Sequence, residues 1–124
     1  MKNKTLKDSF TNAYNGLRLA LFHERNMRIH IFTAILCVLL GIIFCLDALR
    51  WAILMIAIGL VFITELFNTA IENMVDMITS EFSVMAKTVK DIAAGTVLIA
   101  SVIAVILGIL VFIDPIINLI VTLF

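Results

Sequence analysis

Punctuation is scarce in this chain. It has one proline, Pro115, and five scattered glycines in 124 residues, so no glycine-rich phosphate loop of the soluble nucleotide-binding type is present. The only cysteines, Cys37 and Cys45, lie on one apolar segment. They are too far apart along a helix to bridge each other, and read as buried, inert thiols that leave the redox compartment open. Charge is thin as well: 15% of the residues carry it, nine basic against nine acidic, for a formal net charge of zero. Nothing in that balance suggests a nucleic-acid partner. The basic N-terminus is followed by a mixed segment and not by a short apolar core with a small-residue cleavage site, so no cleavable signal peptide is expected.

What the chain does have is hydrocarbon. Hydrophobic residues make up 63% of it and its mean hydropathy is +1.17, whereas a soluble domain is closer to about half apolar. The expected fold is all-α: one membrane domain over residues 1–124 with three transmembrane helices. Over 6–28, Phe10, Ala13, Tyr14, Leu17, Leu21 and Phe22 recur at helical spacing, with Asn12, Asn15, Arg18 and Arg25 on other faces. This reads as an amphipathic helix in the membrane surface, with a soluble helix on the bundle as its rival. A dense polar cluster, HERNMRIH from His23 to His30, precedes the first span, expected over 30–47. Asp47 to Arg50 reads as a tight turn, Trp51 as an interfacial anchor, and 50–78 as the second span. The third, over 91–113, is expected to end at Asp114-Pro115. The apolar tail 114–124 is too short to cross again; an interfacial position and packing on the bundle both stay open. Thr96, Ala100, Ala104 and Gly108 form a small-residue stripe suited to close helix approach, although Ala and Gly are common in any membrane helix.

Lys2, Lys4, Lys7, Arg18, Arg25 and Arg28 precede the first span, and Lys87 and Lys90 follow the second. The turn between the first two spans has only Arg50, and the tail has no basic residue. The positive-inside rule then places the N-terminus and the second loop in the cytoplasm of a multi-pass cell-membrane protein.

The stretch from Ile63 to Asp91 holds Glu65, Glu72, Asp76, Glu81 and Asp91, more than half of the acidic side chains. At a helical advance of about 100° per residue, Glu65, Asn68, Glu72 and Asp76 fall within a sector of about 80°. Carboxylates beside hydrocarbon are costly unless they face an interior, a partner or a metal. Glu65, deepest along the span, is the candidate general base. Asn68, one turn on, is placed to orient a substrate hydroxyl. Glu72 with Glu24 would suit Mg²⁺, which takes one or two carboxylates plus phosphate oxygens. Lys90 can hold a phosphate as a point charge, and Asp91 either pairs with it or positions a nucleotide. Each has a plainer rival: Lys90 and Asp91 as interfacial anchors, Asp76 as a solvated helix end, Glu65 in a structural salt bridge with Arg18 or Arg28. His23 and His30 read as interfacial residues.

ELFNTAIENMVD from Glu65 to Asp76, followed by AKTVKDIAAG from Ala86 to Gly95, closely resembles the signature of the prokaryotic diacylglycerol kinase family. HERNMRIH, with NGLR before it, is most similar to its Gram-positive branch, whose members are often undecaprenol kinases. The resemblance implies three-span inner-membrane enzymes with an N-terminal surface helix, assembled as homotrimers with active sites shared between subunits. They transfer the γ-phosphoryl group of Mg-ATP to the hydroxyl of a membrane lipid. By position it implies that Glu65 is the catalytic base and that Glu24 and Glu72 hold Mg²⁺. It implies ATP contacts from Asn12, Glu24, Glu72, Glu81, Ser83, Lys90 and Asp91, and lipid contacts from Glu65, Asn68, Asn26 and Arg28. Asp76 is a motif residue of structure or activity. Ser83 stands where the family often has histidine. Undecaprenol is the expected acceptor, diacylglycerol the second. The rival outside enzymology is a small membrane protein whose Glu65, Glu72 and Asp76 form a proton or cation relay.

Overall fold

The structure is a computed structural model describing residues 5–79, 81 and 83–123, without the side chain of His23. Lys2 and Lys4 lie outside the described residues. Four helices follow one another: α1 (Leu6–His23), α2 (Arg25–Ile43), α3 (Ala48–Ile78) and α4 (Val84–Leu123). The last three are long and apolar enough to cross a membrane.

Helix α1 starts at a capping box: the Thr5 hydroxyl accepts from the Asp8 amide while the Asp8 carboxylate accepts from the Thr5 amide. It ends earlier than the sequence pattern suggests. Glu24 alone is extended (φ −84°, ψ 126°), serving as both the C-cap of α1 and the N-cap of α2. Its side chain makes no capping hydrogen bond. Arg25 to Arg28, expected within the first helix, therefore open α2, and the polar cluster becomes the first turns of a spanning helix.

At the other end of α2 the chain reverses in a few residues. Cys45 takes a positive φ of 51°, its amide donates to Ile42 and that of Leu46 to Gly41, a closure typical of a helix that stops at a left-handed residue. Asp47 then caps α3 by accepting from the Arg50 amide at 3.0 Å. Gly41 permits the close return: a Cβ there would lie 2.8 Å from the Trp51 ring. Leu46, Leu54 and Val111 form the buried core at this hairpin end, with Trp51, Phe44 and Phe112 against it.

Helix α4 packs most extensively on α3. The buried residues of α3, Leu54, Ala57, Val61, Glu65, Asn68 and Thr69, recur at helical spacing and form one stripe. Ile63, Phe67, Met74 and Ile78 are exposed on other faces. The expected stop at Asp114-Pro115 is overturned: α4 runs through Pro115 to Leu123, 40 residues in all. Proline lacks one backbone donor, but no charged residue lies beyond it, and in hydrocarbon a chain that left the helix would strand its remaining polar backbone groups. Asp114 also pins this turn to α3, accepting from Arg50 Nη2 at 2.7 Å while Asp47 takes Nη1 at 2.9 Å. Of the small-residue stripe, Ala100 is buried, Ala104 and Gly108 are half-buried and Thr96 is exposed; Ala93, one turn earlier, is the other buried small residue of α4.

Candidate active site

The polar end of the bundle is built where the apolar stripe of α3 changes character. Leu54, Ala57 and Val61 occupy it first; one turn on, the same face presents Glu65 and then Asn68. Glu65 is only 2% exposed and Asn68 4%. The packing that buries the hydrocarbon of α3 thus carries the carboxylate into the bundle.

Glu65 is surrounded by residues from α2 and α3 and from the corner between α1 and α2. His30 of α2 places Nε2 3.9 Å from Glu65 Oε2. Glu72 and Glu24 act on its charge, and Asn26 lies within hydrogen-bonding reach. Asn68 Nδ2 donates to Glu72 Oε1 at 3.0 Å. Two acceptor atoms are left over: Glu65 Oε2 and Asn68 Oδ1 are buried with no hydrogen-bond partner. Leaving such a group unsatisfied costs about 1–3 kcal/mol, so two such acceptors three positions apart on one helix mark a place for arriving donors.

The corner explains the position of Glu24. With one extended residue between helices, its side chain projects from the turn instead of folding back as a cap. It also sits at the positive end of α2, where an anion is favoured.

The donor set suits a particular kind of ion. Among the described residues no group of three or more His, Cys, Asp and Glu gathers closely enough to enclose a metal. Glu24 and Glu72 beside a deeper carboxylate match an ion that takes one or two carboxylates and leaves its other positions to water and phosphate, as Mg²⁺ does.

A second polar group lies one to two turns further along. Lys90 of α4 reaches across to Asp76 of α3, Nζ to Oδ1 2.5 Å. Asp91 pairs with Lys87 at 2.7 Å, one turn back on its own helix, and not with Lys90. Ser83 accepts from the Ala86 amide at 3.4 Å in the first turn of α4. Glu81 is exposed in the preceding bend, its amide donating to the Thr79 hydroxyl at 3.3 Å. Asn12 on α1 and Arg28 on α2 are exposed. The structure thus gathers Glu24, Asn26, Glu65, Asn68 and Glu72 within one chain, ties Asp76 to Lys90, and leaves Asn12, Arg28 and Glu81 at the periphery.

His30 escaped the sequence reading as a neighbour of Glu65. The salt bridge that the sequence offers Glu65 runs to Arg18 or Arg28, whereas the nearest basic side chain is that of His30. The signal was its place one and a half turns into α2, on the same side as Asn26.

A family model, prokaryotic diacylglycerol kinase, matches residues 11–112. The chain belongs to the prokaryotic diacylglycerol kinase family. It is 39% identical over 114 residues to a diacylglycerol kinase of Synechocystis sp., a match covering 91% of this chain and 65% of that protein. It is 39% identical over 104 residues to the undecaprenol kinase of Bacillus subtilis, covering 84% and 85%. To the diacylglycerol kinase of Escherichia coli K12 it is 35% identical over 94 residues, covering 76% and 77%. The chain thus spans about two-thirds of the Synechocystis protein's length and more of the other two. A member of this family is a lipid kinase, for which ATP is the phosphate donor, and its three long apolar helices make it a multi-pass membrane protein.

Proposed function

We propose that this kinase transfers the γ-phosphoryl group of Mg-ATP to the hydroxyl of undecaprenol, with diacylglycerol as the second reading of the acceptor. The observation that carries the reaction is Glu65: a carboxylate buried in a membrane helix, one oxygen without a partner, with Glu24 and Glu72 beside it. The HERNMRIH segment and the Bacillus subtilis undecaprenol kinase, 85% of whose length the match covers, favour the prenyl acceptor.

Glu65 takes the proton of the lipid hydroxyl as its oxygen attacks the γ-phosphorus. A phosphorus–oxygen bond forms to the lipid, the bond to the bridging oxygen breaks, and ADP leaves. Asn68, Asn26 and Arg28 orient the acceptor. Glu24 and Glu72 would hold Mg²⁺, which would offset the charge on the phosphates. Lys90 serves the phosphates as a point charge, held in position by Asp76. Asn12, Glu81, Ser83 and Asp91 complete the nucleotide side. Little covalent work falls to the protein, so positioning and electrostatics supply most of the rate.

A through-membrane relay finds less support. Towards the hairpin the stripe is Val61, Ala57 and Leu54, and the polar residue of α3 next to it, Thr64, spends its hydroxyl on the Leu60 and Val61 carbonyls.

The same proposal includes the wider arrangement: a homotrimer with shared sites, in the cell membrane, with α1 on its surface and the carboxylates facing the cytoplasm. The support for α1 is its row of exposed Phe10, Tyr14 and Leu17. The support for sidedness is the basic N-terminal segment. The test is phosphate transfer by purified protein with Mg-ATP, undecaprenol and diacylglycerol side by side. Faster transfer to undecaprenol is expected; transfer to diacylglycerol alone would reverse the acceptor, and transfer to neither would refute the proposal.

A further inference from the structure

Transfer from an alcohol to a phosphate monoester leaves a proton behind. The lipid hydroxyl gives it to Glu65, and the product does not take it back: a phosphate monoester, with a second pKa of about 6, leaves as its dianion at neutral pH and above. Glu65 then holds a proton on a residue that is 2% exposed. It is no base again until that proton has gone, so the site needs a way out.

The groups around Glu65 differ in whether they can serve. Asn26 and Asn68 are amides and carry no proton from one site to another. Glu24 and Glu72 act on the charge of Glu65, but a proton on either would cancel the charge assigned above to Mg²⁺. His30 remains. Its Nε2 stands 3.9 Å from Glu65 Oε2, the oxygen without a partner. That gap is too long for a hydrogen bond and suits one water about 2.8 Å from each. Imidazole loads and unloads a proton near neutrality, its ordinary pKa being about 6.5. The side chain of His30 is 21% exposed where that of Glu65 is 3%. Asn26, one turn nearer the corner on the same side of α2, is exposed, so water comes within a turn of the imidazole. Arg18, Arg25 and Arg28 are exposed on α1 and α2. The charged side chains of α4 are engaged elsewhere: Lys90 with Asp76, Lys87 with Asp91, and Asp114 with Arg50.

We propose that His30 is the proton exit of the catalytic cycle: it takes the proton from Glu65 after phosphoryl transfer and passes it to water at the polar end of the bundle. The inference rests on the reading of Glu65 as the base and adds the step that restores it. The Glu65 O–H bond breaks, its electron pair stays on the carboxylate, and an N–H bond forms at Nε2 through the bridging water. The imidazolium then yields a proton to solvent and is neutral again. No bond to phosphorus changes, and nothing is oxidised or reduced.

The order of events supplies the test. The exit follows transfer, so it enters kcat. It does not enter kcat/KM for the lipid, which is read when each site has time to recover between encounters. Steady-state and rapid-quench kinetics are measured on the full chain with Mg-ATP and undecaprenol, and melting temperatures check folding. His30→Gln, polar but unable to carry a proton, is expected to lose about tenfold in kcat, to keep kcat/KM for the lipid within about twofold, and to show a burst of product equal to the number of sites. His30→Ala is expected to lose kcat alike and to regain most of it in millimolar imidazole. An unchanged kcat in His30→Gln, a parallel fall in its kcat/KM, or a loss in His30→Ala that imidazole leaves unrestored would each overturn the exit role. Glu65→Gln tells that failure from failure of the underlying reading. If Glu65→Gln keeps substantial turnover, the base reading falls and the exit with it. If Glu65→Gln loses turnover while the His30 variants keep kcat, the exit role alone falls.

Discussion

Glu65 and Glu72 share a helix face yet meet different surroundings. Glu65 has no solvent and no hydrogen-bond partner for Oε2; Glu72 is half-buried and bonded to Asn68. The first suits proton transfer, the second a lasting charge interaction. Glu65→Gln keeps the volume and removes the base, so turnover should fall by about 10²–10⁴-fold, with Mg-ATP binding and the melting temperature preserved. Substantial turnover in the purified variant would remove the base role. Glu72→Gln can still accept from Asn68 but loses its charge. The Mg²⁺ concentration for half-maximal rate should rise at least about tenfold, and an unchanged titration would assign the metal elsewhere. At this scale the sequence was informative about the row on α3, because helical periodicity alone aligns Glu65, Asn68 and Glu72. It was silent about His30 facing Glu65 and Lys90 reaching Asp76. Those contacts depend on how α2 and α4 are set against α3, and no local pattern encodes that setting.

Among the elements, the α2–α3 hairpin is the most tightly specified. Its return depends on Gly41, because the Trp51 ring lies where a side chain would begin. Gly41→Ala should destabilise the protein by about 1–3 kcal/mol through overpacking, read as a lower melting temperature in detergent. The hairpin also carries a pH dependence. The Arg50 amide hydrogen bond, helped by the Arg50 charge and opposed by partial desolvation, holds the Asp47 carboxyl below the usual aspartate range. A depressed carboxylate stabilises the fold above its unfolded-state value, near ~3.9, and loses that contribution as pH falls through its folded value. Asp47→Ala should therefore melt below the wild-type protein at pH 6, and the gap should narrow as pH falls below about 3.9. Sequence reading sets the turn over Asp47 to Arg50, whereas the chain reverses over Phe44 to Asp47 and Ala48 to Arg50 already form the first turn of α3; it also misses the ion pair from Arg50 to Asp114, sixty-four positions away. It also ended α4 too soon, weighing Pro115 by its habit in water and not by the lack of alternatives in hydrocarbon.

For the whole molecule, three long hydrophobic helices were legible because uninterrupted apolar length is a strong signal. Sidedness is the part that experiment can decide most directly. Cys45, expected from the sequence to be buried, is exposed at the hairpin end, opposite the carboxylates of the candidate site. A membrane-impermeant maleimide should label it in intact cells, whereas a Glu81→Cys protein should react at position 81 only after permeabilisation. The reverse pattern would turn the site outward and separate it from cytoplasmic ATP.

The single-residue corner at Glu24 has a mechanical implication. With no linker to absorb motion, α1 cannot tilt or sink without rotating the residue that joins it to α2. Any tilt of α1 therefore turns Glu24 itself, one of the charges that act on the buried carboxylate of Glu65.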